Sequence, residues 1–433
     1  MRESSGRTVE LNGVTYQWPS RPVVIVCIDG GDPAYLDQSL RDDVTPHTAG
    51  FMRDGFSAVA ESVVPSLTNP NNMSIVTGSP ASIHGISGNY FLDPETGAEV
   101  MMNEPEFLRS ESVLAEFSKK GAKVVAITAK DKLRKLLGSN LNIAGGSINF
   151  SSEKADQCTL EQNGIENVLE FVGLPLPDVY SAELSIFALE AAVKILECHR
   201  PDIMYVSTTD YVQHKYAPGH PEINDLYTKL DTAFGRLAAS GAVVGVTADH
   251  GMNDKSKPDG TPKVIFLQDE LDRRLGKCTT RVILPITDPY VVHHGSLGGF
   301  ARVYCYDGAT PDTVMRFTES LPGVEAVYDK PSACAAFDLP PDREGDVVVI
   351  SDAGTALGAS EANHDLSALE GHRLRSHGGV SEKRVPFIIS APLNREYGAR
   401  AKSTTLRSYE MFDYAINGVA KRPSHMKIAR PAP

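Results

Sequence analysis

The sequence predicts an α/β fold: a mainly parallel sheet sandwiched by helices, with a smaller α+β cap inserted into it. Short apolar runs alternate with helical patterns through most of the first 250 residues, which is typical of βαβ units. After about residue 262, short strands and turns with only brief helices replace that alternation. We therefore assign residues 1–262 and 372–433 to the core and residues 263–371 to the cap.

The core elements follow one another in a regular order. "PVVIVCID" (22–29) has the apolar run of a buried strand, and "SESVLAEFSKKGAKVVAIT" (110–128) predicts a capped amphipathic helix, a stop at Gly121 and a strand. Residues 181–208 and 221–251 repeat the helix-then-strand arrangement. A parallel sheet built from such units binds its ligands beyond the carboxyl ends of its strands.

The cap segments show a different pattern of secondary structure. Four of them read as short strands with turns and brief helices: "PKVIFLQDELDRRLG", "FARVYCYDG", "VEAVYDKP" and "GDVVVISDAGTALG". "SHGGVSEKRVPFIISAP" (376–392) then restores an apolar strand to the core, and a helix is predicted around residues 409–418. We expect the tail at residues 421–433 to be loosely held.

Charge and cysteine usage narrow the function classes. The 433-residue chain has a formal net charge of −13, which argues against non-specific binding to nucleic acid or to a membrane surface. Its six cysteines are scattered without a CxxC pair, and its first residues have no apolar targeting segment. No stretch has the length and apolarity of a membrane span. We expect a cytoplasmic protein.

Three carboxylates stand where predicted strands end. Asp29 follows "VVIVCI", Asp210 follows "IMYVSTT" and Asp249 follows "VVGVTA". Each one alone is equally compatible with a turn or a helix cap. Because parallel strands end at one edge of a sheet, we expect the three to converge there.

Three histidines accompany these carboxylates. His214 lies four residues after Asp210, which places both on one face if a helix begins there. His250 adjoins Asp249, and His377 lies in the glycine-rich "RSHGG". Asp and His together suit two divalent metals, zinc most naturally, and the same ligands accept Mn²⁺ or Fe²⁺.

Thr68 opens a predicted helix in "PSLTNPNNMSIVTGSPASIHGISGN" (65–89). Taken alone, a threonine at this position is a helix cap. Beside a divalent metal, however, its hydroxyl can ionise near neutral pH, and the helix N-terminus favours an incoming phosphoryl group. Asn89, at the end of the stretch, is a candidate donor to a phosphoryl oxygen.

The order of these residues resembles the alkaline phosphatase superfamily, and within it the nucleotide pyrophosphatase/phosphodiesterase branch. "TPHTAGFMRDG" (45–55) and "NPNNMSIVTGSPASIHGISGN" (69–89) resemble two of its segments. "DYVQHKYAPG" (210–219) is similar to a third, except that Gln213 replaces a glycine. The resemblance covers essentially the whole core, so the variable cap is where substrate choice is expected.

The resemblance implies two zinc ions and a nucleophilic threonine. One zinc would be held by Asp210, His214 and His377, and the other by Asp29, Asp249 and His250. Thr68 would bridge them as the nucleophile and form a phosphothreonine, which water then hydrolyses. Asn89 would hold a phosphoryl oxygen.

The substrate is indicated by a lysine pair in "ITAKDKLRKLLG" (127–138). Lys130 and Lys132 follow a strand and are expected to reach over the same edge, whereas Lys135 is expected on the surface. Ammonium groups there would stabilise a carboxylate that takes up carbanion charge. Together with the resemblance, the pair favours a small anionic phosphonate as substrate, with the C–P bond of phosphonoacetate cleaved to acetate and phosphate.

Other functions stay open at this stage. A phosphodiesterase or nucleotide pyrophosphatase would use the same metals and a slot for a base, for which Tyr90 and Phe91 are candidates. A phosphosugar or phosphoglycerate mutase is disfavoured by Thr68, because those enzymes usually carry a serine. A catalytically inert binding module is disfavoured by retention of every ligand. We expect His220 to be a loop histidine, and a homodimer is compatible with the sequence without being indicated by it.

Overall fold

The computed structural model describes residues 7–93, 95–286, 295–369 and 371–420, so the predicted loose tail lies outside the described residues. The strands are β1 (Thr8–Leu11), β2 (Val14–Gln17), β3 (Val23–Cys27), β4 (Phe56–Glu61), β5 (Tyr90–Leu92), β6 (Glu99–Met101), β7 (Val124–Thr128), β8 (Ile148–Ser151), β9 (Ile203–Ser207), β10 (Val243–Thr247), β11 (Asn253–Asp254), β12 (Val264–Phe266), β13 (Thr280–Ile283), β14 (Phe300–Cys305), β15 (Val324–Asp329), β16 (Val347–Ser351), β17 (Ala356–Gly358), β18 (Arg375–Ser376) and β19 (Arg384–Ile389).

The helices are α1 (Pro33–Arg41), α2 (Pro46–Asp54), α3 (Thr68–Thr77), α4 (Ala81–His84), α5 (Val113–Lys119), α6 (Asp131–Leu137), α7 (Leu160–Asn163), α8 (Val168–Val172), α9 (Glu183–His199), α10 (Tyr211–Lys215), α11 (Pro221–Ala239), α12 (Leu267–Leu275), α13 (Pro311–Thr318), α14 (Lys330–Phe337), α15 (Arg395–Ser403) and α16 (Met411–Ile416).

A seven-stranded sheet forms the centre of the molecule, in the order β4-β19-β10-β3-β9-β7-β8. The strands from β10 to β8 are parallel, whereas β19 lies antiparallel between β10 and β4. Every residue of β3, β7, β9 and β10 is buried, as expected for strands covered on both faces. The predicted mainly parallel sheet is confirmed.

The pleat of β3 divides its side chains between two hydrophobic cores. Val24 and Val26 belong to the core that includes α9 and α11. Ile25 and its alternate neighbours belong to the core that includes α3, α5 and α16. Because successive side chains of a strand point to opposite faces, one apolar run anchors helices on both sides of the sheet.

A second sheet is built from the chain between β10 and β19. Its four antiparallel strands lie in the order β13-β14-β16-β15, and α12, α13 and α14 pack against them. Its apolar core includes Leu267, Val303 and Val347. This mixture agrees with the α+β character expected of the cap, and the division at residues 263 and 371 stays a prediction.

Within the described ranges, no helix combines the length and apolarity required to cross a membrane. All six cysteines fall in those ranges, and each is a free thiol. The expected cytoplasmic location stays a prediction.

His84 is an uncharged histidine buried where α4 ends. Its Nε2 lies 2.9 Å from Oγ of Ser74, and its Nδ1 accepts a hydrogen bond from the N–H of Ile86 at 3.1 Å. Burial, together with the charge of Arg343, lowers the pKa of His84 to about 3. The unfolded chain binds a proton at this histidine below about pH 6.5, while the folded protein stays neutral there until about pH 3.

The free energy of unfolding should therefore decrease as the pH is lowered below about 6.5, because the unfolded chain binds a proton at His84 and the folded protein does not. At ~1.4 kcal/mol per pH unit below the unfolded pKa, this histidine removes ~2 kcal/mol between pH 7.5 and pH 5. Urea unfolding of the wild type and of a His84→Gln variant at pH 7.5 and at pH 5 measures this contribution to stability. The stability advantage of the wild type should shrink by that amount at pH 5, and an unchanged advantage would contradict the assignment.

Candidate metal and phosphoryl site

Four predicted side chains stand at the carboxyl ends of neighbouring strands. Asp249 follows β10, Asp29 follows β3, Asp210 follows β9 and Lys130 follows β7, and these strands are adjacent in that order. Parallel strands end at one edge of the sheet, so residues far apart in the sequence meet there. Gly30 permits the close approach, because a Cβ at this position would lie 3.0 Å from Cβ of Asp210.

Thr68 is the first residue of α3, and the N-cap position is Leu67. The Thr68 hydroxyl lies 3.5 Å from Nε2 of His250. The interpretation of Thr68 as a helix cap is therefore wrong. Its hydroxyl faces the histidine instead of capping the helix.

One buried group consists of Asp210, His214 and His377, whose ligand atoms lie within 4.8 Å of one another. Nε2 of His214 is 2.7 Å from Oδ2 of Asp210, and Nε2 of His377 is 3.6 Å from the same oxygen. Helix α10 begins directly after Asp210, which gives the i,i+4 geometry predicted for Asp210 and His214.

A second buried group consists of Asp29, Asp210 and His250. Nε2 of His250 lies 3.2 Å from Oδ1 of Asp29 and 3.8 Å from Oδ2 of Asp249. Asp210 therefore belongs to both groups and lies between them. The grouping of Asp249 with Asp29 and His250 around one ion stays a prediction.

The three histidines present the same nitrogen to these carboxylates. In each ring, Nδ1 faces a backbone carbonyl, which can only accept a hydrogen bond, so the neutral ring carries its lone pair on Nε2. The carbonyls belong to Arg375, Ser66 and Gly251, at 2.7, 2.8 and 2.9 Å from His214, His377 and His250 respectively. Such outer hydrogen bonds are typical of histidines that ligate metals.

The residues fit divalent cations. A lone pair on Nε2 of His214 faces a carboxylate oxygen at 2.7 Å, which is repulsive unless a proton or a cation lies between them. The rings of His250 and His377 stack with centroids 3.5 Å apart, an arrangement that disfavours two positively charged imidazoliums. Nε2 and carboxylate oxygens are ligands that zinc prefers.

Burial and mutual charge shift the acidic groups in opposite directions. Although burial opposes ionisation, His214 and Lys130 hold the pKa of Asp210 well below its usual range. Burial and the carboxylate of Asp29 raise the pKa of Asp249 well above its usual range. Three carboxylates thus crowd one buried site, and a divalent cation would relieve their repulsion.

The histidine rings are shifted by the same neighbours. Burial lowers the pKa of His250, but Asp249 and Asp29 outweigh it and raise the value to about 10. Burial and the charge of His250 instead push the pKa of His377 well below its usual range. A proton on His250 and a neutral His377 is the arrangement these charges favour without a cation.

Thr68 opens onto a cavity of about 40 Å³ at the sheet edge. The predicted residues that line it are Asp29, Thr68, Asn89, Lys130, Lys132, Asp210 and His377. The cavity thus brings the nucleophile candidate, the amide and both lysines together. Apolar side chains, among them Leu133 and Ile286, complete its wall.

Two residues predicted to lie apart from the site do so. Lys135 is exposed and pairs with Glu104 at 2.5 Å. The His220 ring stacks on Tyr216 with centroids 4.2 Å apart and pairs with Glu222 at 2.6 Å. Both interpretations from the sequence are confirmed.

The sequence motifs did not identify two residues whose hydrogen bonds support the candidate site. Asn72 donates to the carbonyl of Thr68 at 2.9 Å and to Oδ2 of Asp249 at 3.1 Å. Gln213, the departure from the superfamily pattern, is fully buried and donates to the carbonyl of Asp29 at 3.0 Å. The i,i+4 spacing from Thr68 could have identified Asn72, whereas nothing local marks a contact between segments 184 residues apart.

Comparison with known proteins identifies the family. Residues 23–379 match the model of the type I phosphodiesterase / nucleotide pyrophosphatase family, so the chain belongs to that family. An uncharacterized pyrophosphatase/phosphodiesterase of Schizosaccharomyces pombe is 26% identical over 221 residues, which cover 50% of this chain and 40% of that protein. The match therefore spans less than half of the length of that curated relative.

Solved structures give a longer match. Phosphonoacetate hydrolase from Sinorhizobium meliloti 1021, in complex with phosphonoformate or phosphonoacetate, is 49% identical with a TM-score of 0.91, over 96% of this chain and 99% of that one. Murine ectonucleotide pyrophosphatase / phosphodiesterase 5 shares the fold at 20% identity and a TM-score of 0.62, over 92% and 96% of the chains. These matches place the chain in the alkaline phosphatase superfamily and indicate a hydrolase that acts on phosphorus bonds.

Metal analysis tests the two groups. The purified protein, equilibrated with zinc and dialysed, should hold two ions, and His377→Ala and His250→Ala should each hold about one fewer, because each removes one Nε2 ligand. His220→Ala, which removes a histidine outside the cavity, is the matched control and should keep both ions. Full metal content in both site variants would contradict the assignment.

Proposed function

We propose that this chain is a di-zinc phosphonoacetate hydrolase, which cleaves the C–P bond to release acetate and phosphate through a phosphothreonine at Thr68. The observation that carries the proposal is that Lys130 and Lys132 line the same cavity as Thr68 and Asn89. The 49% identity with the Sinorhizobium meliloti enzyme, solved with phosphonoacetate, supports this substrate.

Two zinc ions would lower the pKa of the Thr68 hydroxyl and offset the charge of the phosphoryl oxygens. They would be held as the superfamily resemblance implies. The two ligand sets are Asp210, His214 and His377, and Asp29, Asp249 and His250.

Thr68 starts the reaction. Its hydroxyl gives up its proton to solvent, Oγ1 forms a bond to phosphorus while the C–P bond breaks, and the electron pair of that bond leaves with the methylene carbon. The side-chain amide of Asn89 donates a hydrogen bond to a phosphoryl oxygen as the geometry at phosphorus changes. Both residues are held by backbone hydrogen bonds, so little reorganisation accompanies the step.

The lysines stabilise the leaving group. The carbanion spreads its charge into the adjacent carboxylate, and ammonium groups close to that carboxylate favour the enediolate as it develops. The segment is fixed by Thr128, whose Oγ1 donates to the carbonyl of Lys130 at 2.7 Å, and by Glu153, which accepts from the N–H of Asp131 at 2.8 Å. Protonation of the carbon by solvent gives acetate.

Water completes the cycle. Its oxygen attacks the phosphorus of the phosphothreonine, the bond to Oγ1 breaks, and phosphate leaves as Thr68 recovers its hydroxyl proton. Acetate and phosphate are the only products.

A phosphodiesterase is the second candidate function, favoured by the family to which the chain belongs. The slot it was expected to use is not formed by Phe91, which is buried, packs on Phe107 with centroids 5.9 Å apart and lies beneath the guanidinium of Arg343. Neither Tyr90 nor Phe91 lines the cavity.

Removal of the nucleophile tests the mechanism. Thr68→Ala should lower phosphate release from phosphonoacetate by roughly 10³-fold or more, because it removes the oxygen that attacks phosphorus. Zinc content and thermal stability should stay close to wild type. Phosphate release at the wild-type rate would exclude a phosphothreonine at this position.

Removal of the lysines tests the substrate. Lys130→Ala/Lys132→Ala should lower kcat/KM for phosphonoacetate by roughly 10²-fold or more while changing turnover of bis-p-nitrophenyl phosphate little, because that diester has no carboxylate to stabilise. Lys135→Ala is the matched control and should behave as wild type. A wild-type preference for the diester that is indifferent to both lysines would assign the protein to the phosphodiesterases.

A further inference from the structure

A buried ion pair connects the second sheet to the catalytic edge. Arg302 of β14 and Glu344 are both fully buried, with Nε of Arg302 2.7 Å from Oε1 of Glu344 and Nη2 3.1 Å from Oε2. A guanidinium bound in this two-pronged way cannot rotate freely, so its other N–H groups point in fixed directions.

Those other N–H groups are directed at residues 87–90. Nη2 of Arg302 donates to the carbonyl of Ser87 at 2.9 Å, and Nη1 donates to the carbonyl of Tyr90 at 3.0 Å. Gly88 lies against this group, since a Cβ there would come within 3.1 Å of Nη1 and 2.6 Å of Cβ of Pro285. One rigid side chain therefore holds both carbonyls that bracket Asn89.

Two backbone hydrogen bonds hold Asn89. Its N–H donates to the carbonyl of Pro285 at 2.6 Å, and its carbonyl accepts from the N–H of Met102 at 2.8 Å. Its buried Oδ1 accepts no hydrogen bond from any residue that the structure describes. Asn89 lines the cavity with Thr68, so the N–H groups of its side-chain amide are the atoms that can donate to a phosphoryl oxygen there.

We propose that Arg302, locked by Glu344, is a positioning residue that sets the Asn89 amide against a phosphoryl oxygen. It touches neither the cavity nor the reacting atoms and acts through the backbone of residues 87–90. The inference rests on the proposed function in assigning Asn89 to that oxygen. A displacement of about 1 Å at such a donor can lower the rate ~10²-fold.

The test is a double-mutant cycle between the pair and Asn89. Arg302→Met/Glu344→Met replaces both charges with apolar groups, which avoids leaving one buried charge unpaired. It should lower kcat/KM for phosphonoacetate 10- to 100-fold in the wild-type background and by less than twofold in an Asn89→Ala background. An equal loss in both backgrounds would overturn the inference.

Two further variants separate positioning from stability. Val303→Ala, at the neighbouring position of β14 in the apolar core of the second sheet, should lower the melting temperature yet keep kcat/KM within twofold of wild type. Arg302→Lys keeps the charge but replaces the rigid guanidinium fork on Glu344 with a single rotatable nitrogen, and should lower kcat/KM about tenfold. Wild-type kcat/KM in Arg302→Lys, or a loss in Val303→Ala as large as in the pair variant, would also overturn it.

A measurement of inorganic phosphate binding tests the role of Arg302 without depending on the substrate assignment. In a zinc-loaded Thr68→Ala protein, calorimetry should show phosphate binding about tenfold weaker after the pair replacement, and no further weakening when Asn89 is also alanine. If the wild type fails to release phosphate from phosphonoacetate, the proposed function falls while this titration still decides the role of Arg302. Equal phosphate affinity with and without the pair would overturn that role.

Discussion

The burial of three carboxylates and three histidines at one edge of the sheet is the constraint on which the rest of the site depends. Charges of one sign cannot be crowded out of water without compensation, and the protein's own groups supply it only in part. The raised pKa of Asp249 and the lowered pKa of Asp210 are two consequences of the same crowding. Cations placed between Nε2 atoms and carboxylates would satisfy both.

The outer hydrogen bonds make that arrangement rigid. Each of the three histidines is oriented by a backbone carbonyl, and these carbonyls come from three different parts of the chain. The ring of His377 is held by the loop that precedes α3, so the candidate nucleophile Thr68 and a candidate metal ligand share one support. A change in the backbone of any one of these segments would displace the histidine that its carbonyl holds, and so disturb the site as a whole.

Two buried ion pairs support the candidate site from outside its cavity. Besides the contacts of Arg302, the buried pair of Lys255 and Glu382 at 2.8 Å joins the segments next to His250 and His377. The carbonyl of Glu382 accepts from Gly251, and its carboxylate accepts from Gly379. Buried ion pairs thus connect the segments around the candidate site, and the loss of one partner would leave an unpaired buried charge.

Much of the fold and of the site could be predicted from the sequence because the signals are local. Three of these signals depend on pleat and helix geometry alone. They are the apolar run of β3, the four-residue spacing of Asp210 and His214, and the glycines at which helices end. The chemistry of Asp and His at strand ends follows from where parallel strands end. The role of the Thr68 hydroxyl was harder to predict, because a helix-capping threonine and a nucleophilic threonine have the same local sequence.

Only the tertiary structure decided which partners the site residues have. The contacts of Gln213 with Asp29, of Asn72 with Asp249 and of Arg302 with the carbonyl of Tyr90 cross long stretches of chain, and no periodicity encodes them. It also decided that Phe91 is a core residue and not part of a slot. The sequence by itself determined which chemical groups reach the sheet edge, because secondary structure is set by nearest neighbours, whereas packing determined how rigidly each of them is held.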